Sequence, residues 1–222
     1  MEKEYKATQS PDDGLQKKPD WQAMISEAGK AGWIVRRHPI YGWILERYVG
    51  PGPEAVVPGW IASICEDAFK GRTDLTGITL QGKLKFIDRY AFSGCTGLTG
   101  AAIPESVRSV SKSAFQGCTG LVEIQVDAGN NRYGAIDGLL VSRGGSFLHR
   151  CPPGRSGTFK IPESITFIGR HAFEGCMSLT HIIVPGGIRE IGKYAFEGCG
   201  GLTEITLPGS VREIGDSAFW GC

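Results

Sequence analysis

A 23-residue word recurs along the chain, L-x-x-I-x-[IVL]-P-x-x-[VI]-x-x-I-G-x-x-A-F-x-G-C, with its Ala-Phe pair at 68/69, 91/92, 114/115, 172/173, 195/196 and 218/219. Successive pairs stand 23, 23, 58, 23 and 23 residues apart, so the exception is one period plus 35 inserted residues and the register survives it. A unit this short cannot bury its own apolar face, and successive units must stack to share one core. The fold class is therefore a repeat solenoid, with five clear repeats and one degenerate first repeat running over 55–222.

Each residue type in the word has a mechanical reason. In Leu202-Thr203-Glu204-Ile205-Thr206-Leu207-Pro208 the apolar residues at 205 and 207 alternate like a half-buried strand, and Pro208 ends it where ladder hydrogen bonding stops. Val211 and Ile214 supply a second inward-facing pair, and Ala218 and Phe219 return one small and one large side chain to the core. The closing Gly tolerates positive φ, and the Cys behaves as a small buried hydrophobe.

Before the array, residues 1–19 are charged, lack the apolar stretch of a secretory signal, and are expected to form a disordered tail. An N-terminal cap is read over 20–54. Asp20 is placed to cap a helix carrying Trp21, Met24, Ile25 and Ala28 on one face. Trp33 to Arg37 and Trp43 to Tyr48 then read as a hairpin around His38-Pro39-Ile40-Tyr41-Gly42. Its expected job is to cover the end of the stack. The inserted segment is read over 127–157, where Leu139-Leu140-Val141 and Phe147-Leu148 flank Arg143-Gly144-Gly145-Ser146. This segment is expected to form a hairpin with a flexible tip that projects from the solenoid or lies along its flank.

A formal charge of +1 argues against a general nucleic-acid binder. No run approaches the roughly 20 apolar residues that cross a bilayer. Five of the seven cysteines (95, 118, 176, 199, 222) share one repeat position, which favours a ladder of free, packed thiols over disulfides or a convergent metal site. The segment from Gly77 to Lys83 satisfies G-x-x-x-x-G-K, but Leu84 stands where a magnesium-binding Ser/Thr belongs and the segment lies within a repeat strand. No other nucleophile, dinucleotide or zinc motif occurs. His38, His149, His171 and His181 are scattered and read as exposed turn residues. The chain thus carries no catalytic, cofactor or metal residues in this reading, and it is not an enzyme.

Candidate contact residues come from rows that the period creates. Outward strand positions are Gly77/Thr79, Gly100/Ala102, Glu123/Gln125, Thr158/Lys160, His181/Ile183 and Glu204/Thr206, expected to form one parallel strip. Arg143 and Ser146 at the insert tip are added to the candidates. Elsewhere Lys85, Arg108, Arg189 and Arg212 share one position, and Arg89, Lys112, Arg170 and Lys193 another; interspersed acids make these a charge-mixed face. The final turn ends on Ser217-Ala218-Phe219-Trp220-Gly221-Cys222 with an apolar face, which suggests a longer parent or end-to-end self-association.

The repeats LTEITLPGSVREIGDSAFWGC and LTHIIVPGGIREIGKYAFEGC resemble the BspA-like class of leucine-rich repeat over roughly Tyr48 to Cys222. The passages ERYVGPGPEAVVPGWIASICEDAF and NNRYGAIDGLLVSRGGSFLHRCPPGRSGTFKIPESITFIG are similar to that family's array start and long-repeat variant. Arg72 in place of the closing Cys, Gln81 in place of the strand-ending Pro, and Cys65 depart from the pattern. The resemblance implies a right-handed superhelix with one short parallel strand per turn, mainly β and irregular. It also implies a non-enzymatic protein-binding module of a secreted or cell-surface adhesin from bacteria or protozoa, contacting a protein or glycan on a host or neighbouring cell. An intracellular, cytoplasmic interaction scaffold is the alternative, resting on the charged N-terminus and the reduced-looking cysteines.

Overall fold

The computed structural model describes residues 20–222; the tail read over 1–19 lies outside them. Helix α1 (Trp21–Lys30) starts where the Asp20 carboxylate accepts hydrogen bonds from the Gln22 and Ala23 amides at 3.1 Å, and Gly32 ends its exit turn at φ +85°. Ala28 is buried, Met24 and Ile25 are half-buried, and Trp21 stays partly exposed. Strands β1 (Trp33–His38) and β2 (Gly42–Tyr48) form the expected antiparallel hairpin. Its turn is held by the His38 imidazole Nδ1, which accepts from the Ile40 and Tyr41 amides.

Each turn then contributes a pair of strands. In chain order these are β3 (Glu54–Val56) and β4 (Ile61–Ile64), β5 (Gly77–Thr79) and β6 (Phe86–Ile87), β7 (Gly100–Ile103) and β8 (Ser109–Val110), then β9 (Glu123–Val126). The inserted segment holds β10 (Tyr133–Ile136), β11 (Leu139–Ser142) and β12 (Phe147–Arg150). The array resumes with β13 (Gly157–Lys160) and β14 (Phe167–Ile168), β15 (Leu179–Ile183) and β16 (Glu190–Ile191), β17 (Glu204–Thr206) and β18 (Glu213–Ile214). The first strand of each pair is the one the period predicts. The second, mostly two residues long, is an addition to the expected single strand per turn. It arises because the [VI]-x-x-I corner is extended enough to pair in parallel with its neighbours, as in β4–β6–β8 and β14–β16–β18.

A third side of the coil carries the Phe column. Phe69, Phe92 and Phe115 stack with ring centroids 4.9 and 5.3 Å apart, and Phe173, Phe196 and Phe219 stack at 4.9 and 5.2 Å. Backbone bonds set that spacing, for instance from the Phe69 amide to the Ala91 carbonyl at 2.8 Å. The cysteines lie beside the column as free thiols. Cys95, Cys118 and Cys199 are buried, and their thiols donate to the carbonyls of Phe69 (3.1 Å), Phe92 (2.9 Å) and Phe173 (3.1 Å) in the preceding turn. Arg72 departs from the Cys pattern because its neighbour is the cap and not a repeat: its guanidinium lies over the Tyr48 ring at 4.9 Å and pairs with Asp74 at 2.9 Å. Gln81, the other departure, donates to the Val57 carbonyl.

The insert differs from expectation. It does not project: β10, β11 and β12 form an antiparallel meander, and β12 pairs in parallel with β14 to head the second ladder of the later turns. The cap does the same for the earlier turns, where β2 pairs in parallel with β4. The parallel extends to single bonds. Tyr48 N donates to Ala68 O and Cys151 N to Ala172 O; Cys65 N donates to Leu45 O and Gly169 N to Leu148 O. The insert is thus an internal cap that divides the stack into two halves with separate hydrophobic cores.

Candidate binding surfaces

The G-x-x-x-x-G-K segment is built for packing. A Cβ on Gly77 would stand 2.0 Å from a Glu54 carboxylate oxygen, and one on Gly82 would stand 2.1 Å from the Gly59 carbonyl oxygen. At Gly82 the obstacle is backbone, so close approach between turns demands the glycine; at Gly77 it is only the movable end of the exposed Glu54 side chain.

The outward strand residues are exposed apart from half-buried Gly77 and Gly100, but not as one strip: Gly77/Thr79 lie on a separate β3–β5 ladder, and the rest divide into two strips. Thr158, His181 and Glu204 lie in register across β13, β15 and β17, as do Lys160, Ile183 and Thr206. Glu123 and Gln125 pair instead with Gly100 and Ala102 on the other side of the insert. Between the strips sits the Asp137-Gly138 turn, whose Gly138 carbonyl accepts from the Ile124 amide at 2.8 Å. Ile183 is 47% exposed at the centre of the longer strip, and the His181 Nε2 stands 3.5 Å from a Glu204 carboxylate oxygen beside it. Arg143 and Ser146 are exposed but do not join either strip: the Ser146 carbonyl accepts from the Thr166 and Phe167 amides, which places the tip at the start of β14 on the other ladder. At the final turn, Ile214 (48%) and Trp220 (65%) are exposed although Ile191, the equivalent of Ile214 one turn earlier, is fully buried.

A more sharply formed site was not singled out from sequence. Trp21, Trp43 and Trp60 contact one another with ring centroids 5.7, 5.8 and 6.3 Å apart, and they wall a cleft of about 570 Å³. Its floor is made of two repeat rows, Trp60/Lys83/Ser106 and Ala62/Lys85/Arg108, each spaced 23 residues apart, and the cap adds Arg37 and Tyr41. Arg37, Lys83, Lys85 and Arg108 are all exposed, and among the described residues no acid lines the cleft. Such a cleft can stack planar or apolar groups on its rings while four cations attract carboxylates. The signal was half visible: Lys85 and Arg108 do share a repeat position, but only the cap hairpin's placement brings Trp43 and Arg37 above them.

The histidines depart from the exposed-turn reading. Only His181 is exposed; His38, His149 and His171 are half-buried. His149 lies between the Tyr133 and Phe147 rings, and burial together with Lys112 and Arg132 lowers its pKa to about 4. His171 meets Glu174 and Glu197, the one group among the described residues whose ligand atoms are close enough to share a metal ion. Burial, and next the charge of Arg170, pushes the His171 pKa down, while burial pushes that of Glu174 up. No helix among the described residues is long and apolar enough to cross a membrane.

Residues 53–135 and 155–222 match the BspA type leucine rich repeat region in six copies. Among solved structures, the pneumococcal vaccine antigen PcpA is similar at 27% identity and a TM-score of 0.65, over 76% of this chain and 42% of that one. The chain thus spans less than half of that antigen. A leucine-rich repeat protein of T. pallidum is similar at 26% identity and a TM-score of 0.58, over 86% of each chain. One from Eubacterium ventriosum shares the fold at 23% identity and a TM-score of 0.52, over 73% of this chain and 56% of that one. No curated protein matches the chain.

Proposed function

The chain belongs to the BspA-type leucine-rich repeat family, a family of binding scaffolds and not of enzymes, and from that premise we propose that it is a cell-surface protein-binding module that grips an acidic segment of its partner in the tryptophan cleft. The cleft carries this reading. Its rings offer rigid anchors of the kind that dominate interface energetics, and four exposed cations, with no acid between them among the described residues, select a negatively charged partner. The strip centred on Ile183, flanked by Thr158, Lys160, His181, Glu204 and Thr206, serves as a second contact, and so does the insert tip at Arg143 and Ser146. Surface display is supported by likeness to PcpA, a vaccine antigen.

The test is a titration of the purified chain with acidic, neutral and basic peptides, followed by tryptophan fluorescence. Acidic peptides are expected to bind saturably, with affinity falling as salt rises. The exposed-residue variant Lys85→Glu/Arg108→Glu is expected to lose at least about tenfold, or 1.4 kcal/mol. Binding that survives this variant and fails in Ile183→Asp would move the contact to the strip. Absence of any preference for acidic peptides would sink the cleft assignment.

Seven free thiols favour a second reading, an intracellular scaffold, because exposed Cys222 and half-buried Cys65 stay reduced most readily in a reducing compartment. Labelling of intact producing cells with a membrane-impermeant reagent separates the two.

A further inference from the structure

The seam between the two halves of the solenoid holds a set of side chains that the binding reading leaves unused. His171 Nδ1 lies 3.3 Å from Glu174 Oε2 and 3.2 Å from Glu197 Oε2. Neither His171 Nδ1 nor Glu174 Oε2 has a hydrogen-bond partner, although both atoms are buried and the Glu174 side chain is only 8% exposed. A polar atom buried without a partner is costly, and a cation held between His171 Nδ1 and the two carboxylates would satisfy both orphaned atoms at once.

We propose that His171, Glu174 and Glu197 bind a divalent transition-metal ion of the zinc class. Bonds of 2.0–2.2 Å in a tetrahedral site set neighbouring ligand atoms about 3.3–3.5 Å apart, close to the two separations found. A nitrogen donor with two carboxylates suits zinc and its neighbours; calcium takes six to eight oxygens. The surroundings hold the ligands in place. Gln116 Nε2 donates to Glu174 Oε1 at 2.6 Å, and the His171 ring stacks on Tyr194 at 5.1 Å.

Of the neighbouring cations, Arg150 faces the site, Lys112 lines the same pocket, and Arg170 and Lys193 are held by other groups. Buried Arg150 donates to the His171 and Glu174 carbonyls at 2.8 and 2.9 Å and stands 3.6 Å from Glu174 Oε2, offsetting one of the two carboxylate charges. Arg170 lies over the Tyr194 ring, and Lys193 pairs with Asp216. His171 and Glu174 belong to the turn after the insert, Glu197 to the next turn, and Gln116 to the turn before the insert. A bound ion therefore ties together the first two turns after the insert, with Gln116 reaching across the seam to hold Glu174 in place.

The experiment uses the whole chain, stripped with a chelator and titrated with Zn²⁺ against a Mg²⁺ control, with bound metal counted after dialysis and Tm followed in parallel. The expected result is one Zn²⁺ per chain, a higher Tm, and at least about tenfold weaker binding in Glu197→Gln and His171→Asn, with Glu163→Gln unchanged. Glu197 and His171 are partly exposed, so circular dichroism of these variants is expected to match the parent. Replacement by Co²⁺ then reports the donor atoms. No stoichiometric Zn²⁺, affinity in the two ligand variants equal to the parent's, or a thiolate-to-cobalt charge-transfer band would each overturn the assignment.

Discussion

Leu139 and Leu140 are consecutive residues of one strand, and they pack into different cores. Leu140 joins the cluster of the cap and first turns, whereas Leu139 joins that of the later turns with Val141 and Leu148. The period-2 alternation of a strand puts neighbours on opposite faces, so β11 acts as a septum lined on both sides. Truncation on either face should loosen a different half. Leu140→Ala is expected to speed amide exchange in β7 and β9, and Leu139→Ala in β13 to β16, each at a cost of about 2–5 kcal/mol. Hydrogen exchange read by mass spectrometry checks this; uniform loosening by both variants would mean that the septum divides nothing.

The thiol column predicts its own chemistry. Burial raises the Cys95 pKa to about 11 and that of Cys118 to about 12, and Cys199 is pushed up further in the same way. Reactivity follows the thiolate, so a thiol reagent at pH 8 should modify Cys222 and, more slowly, Cys65 in the native protein. All seven should react once the chain is unfolded. Cys118→Ala removes the donor to the Phe92 carbonyl and should cost about 1–3 kcal/mol in denaturant unfolding.

His149 gives the fold a pH dependence of known sign. Its folded pKa is about 4, whereas an unfolded His titrates near 6.5. Between those values the unfolded chain holds more protons, so the stabilising contribution is whole above pH 6.5 and is lost as pH falls toward 4. After discounting for solvent screening of a partly exposed ring, the effect is about 1–2 kcal/mol. Comparing the wild type with His149→Gln by urea unfolding across this window isolates it. Parallel pH profiles would show that His149 does not titrate differently in the fold.

Periodicity made the solenoid, the Phe column and the Cys ladder legible, because each repeats a local rule that one turn already states. The outward rows at 158/160, 181/183 and 204/206 were legible for the same reason. What it could not show was how unequal pieces meet. Nothing in Phe147-Leu148 announces that β12 will lead a parallel ladder, since that role depends on the neighbour at Phe167-Ile168. His171, Glu174 and Glu197 look like ordinary variable positions of two turns. They converge only because stacking places residues roughly one period apart side by side. Trp21, Trp43 and Trp60 likewise read as separate cap and repeat residues until the hairpin lays them together.

Two glycines of the cleft region test how far turn-to-turn contact governs this architecture. Gly82 has φ +69°, and a Cβ there would sit 2.1 Å from the Gly59 carbonyl oxygen, a backbone atom that cannot swing away. Gly59 has no such constraint: its Cβ would meet nothing nearer than the Gly82 Cα at 3.8 Å. Gly82→Ala therefore combines left-handed backbone strain with a clash and is expected to cost about 2–4 kcal/mol. Gly59→Ala should be neutral or stabilise by about 0.4–1 kcal/mol through the unfolded chain, because Gly59 lies outside the positive-φ region that disfavours Ala. Because Gly82 lines the cleft beside Trp43 and Trp60, its substitution should also shift tryptophan emission to the red as the turns part. Equal effects of the two substitutions in urea unfolding would refute the claim that the close approach at Gly82, and not mere glycine content, holds the first turns at their spacing.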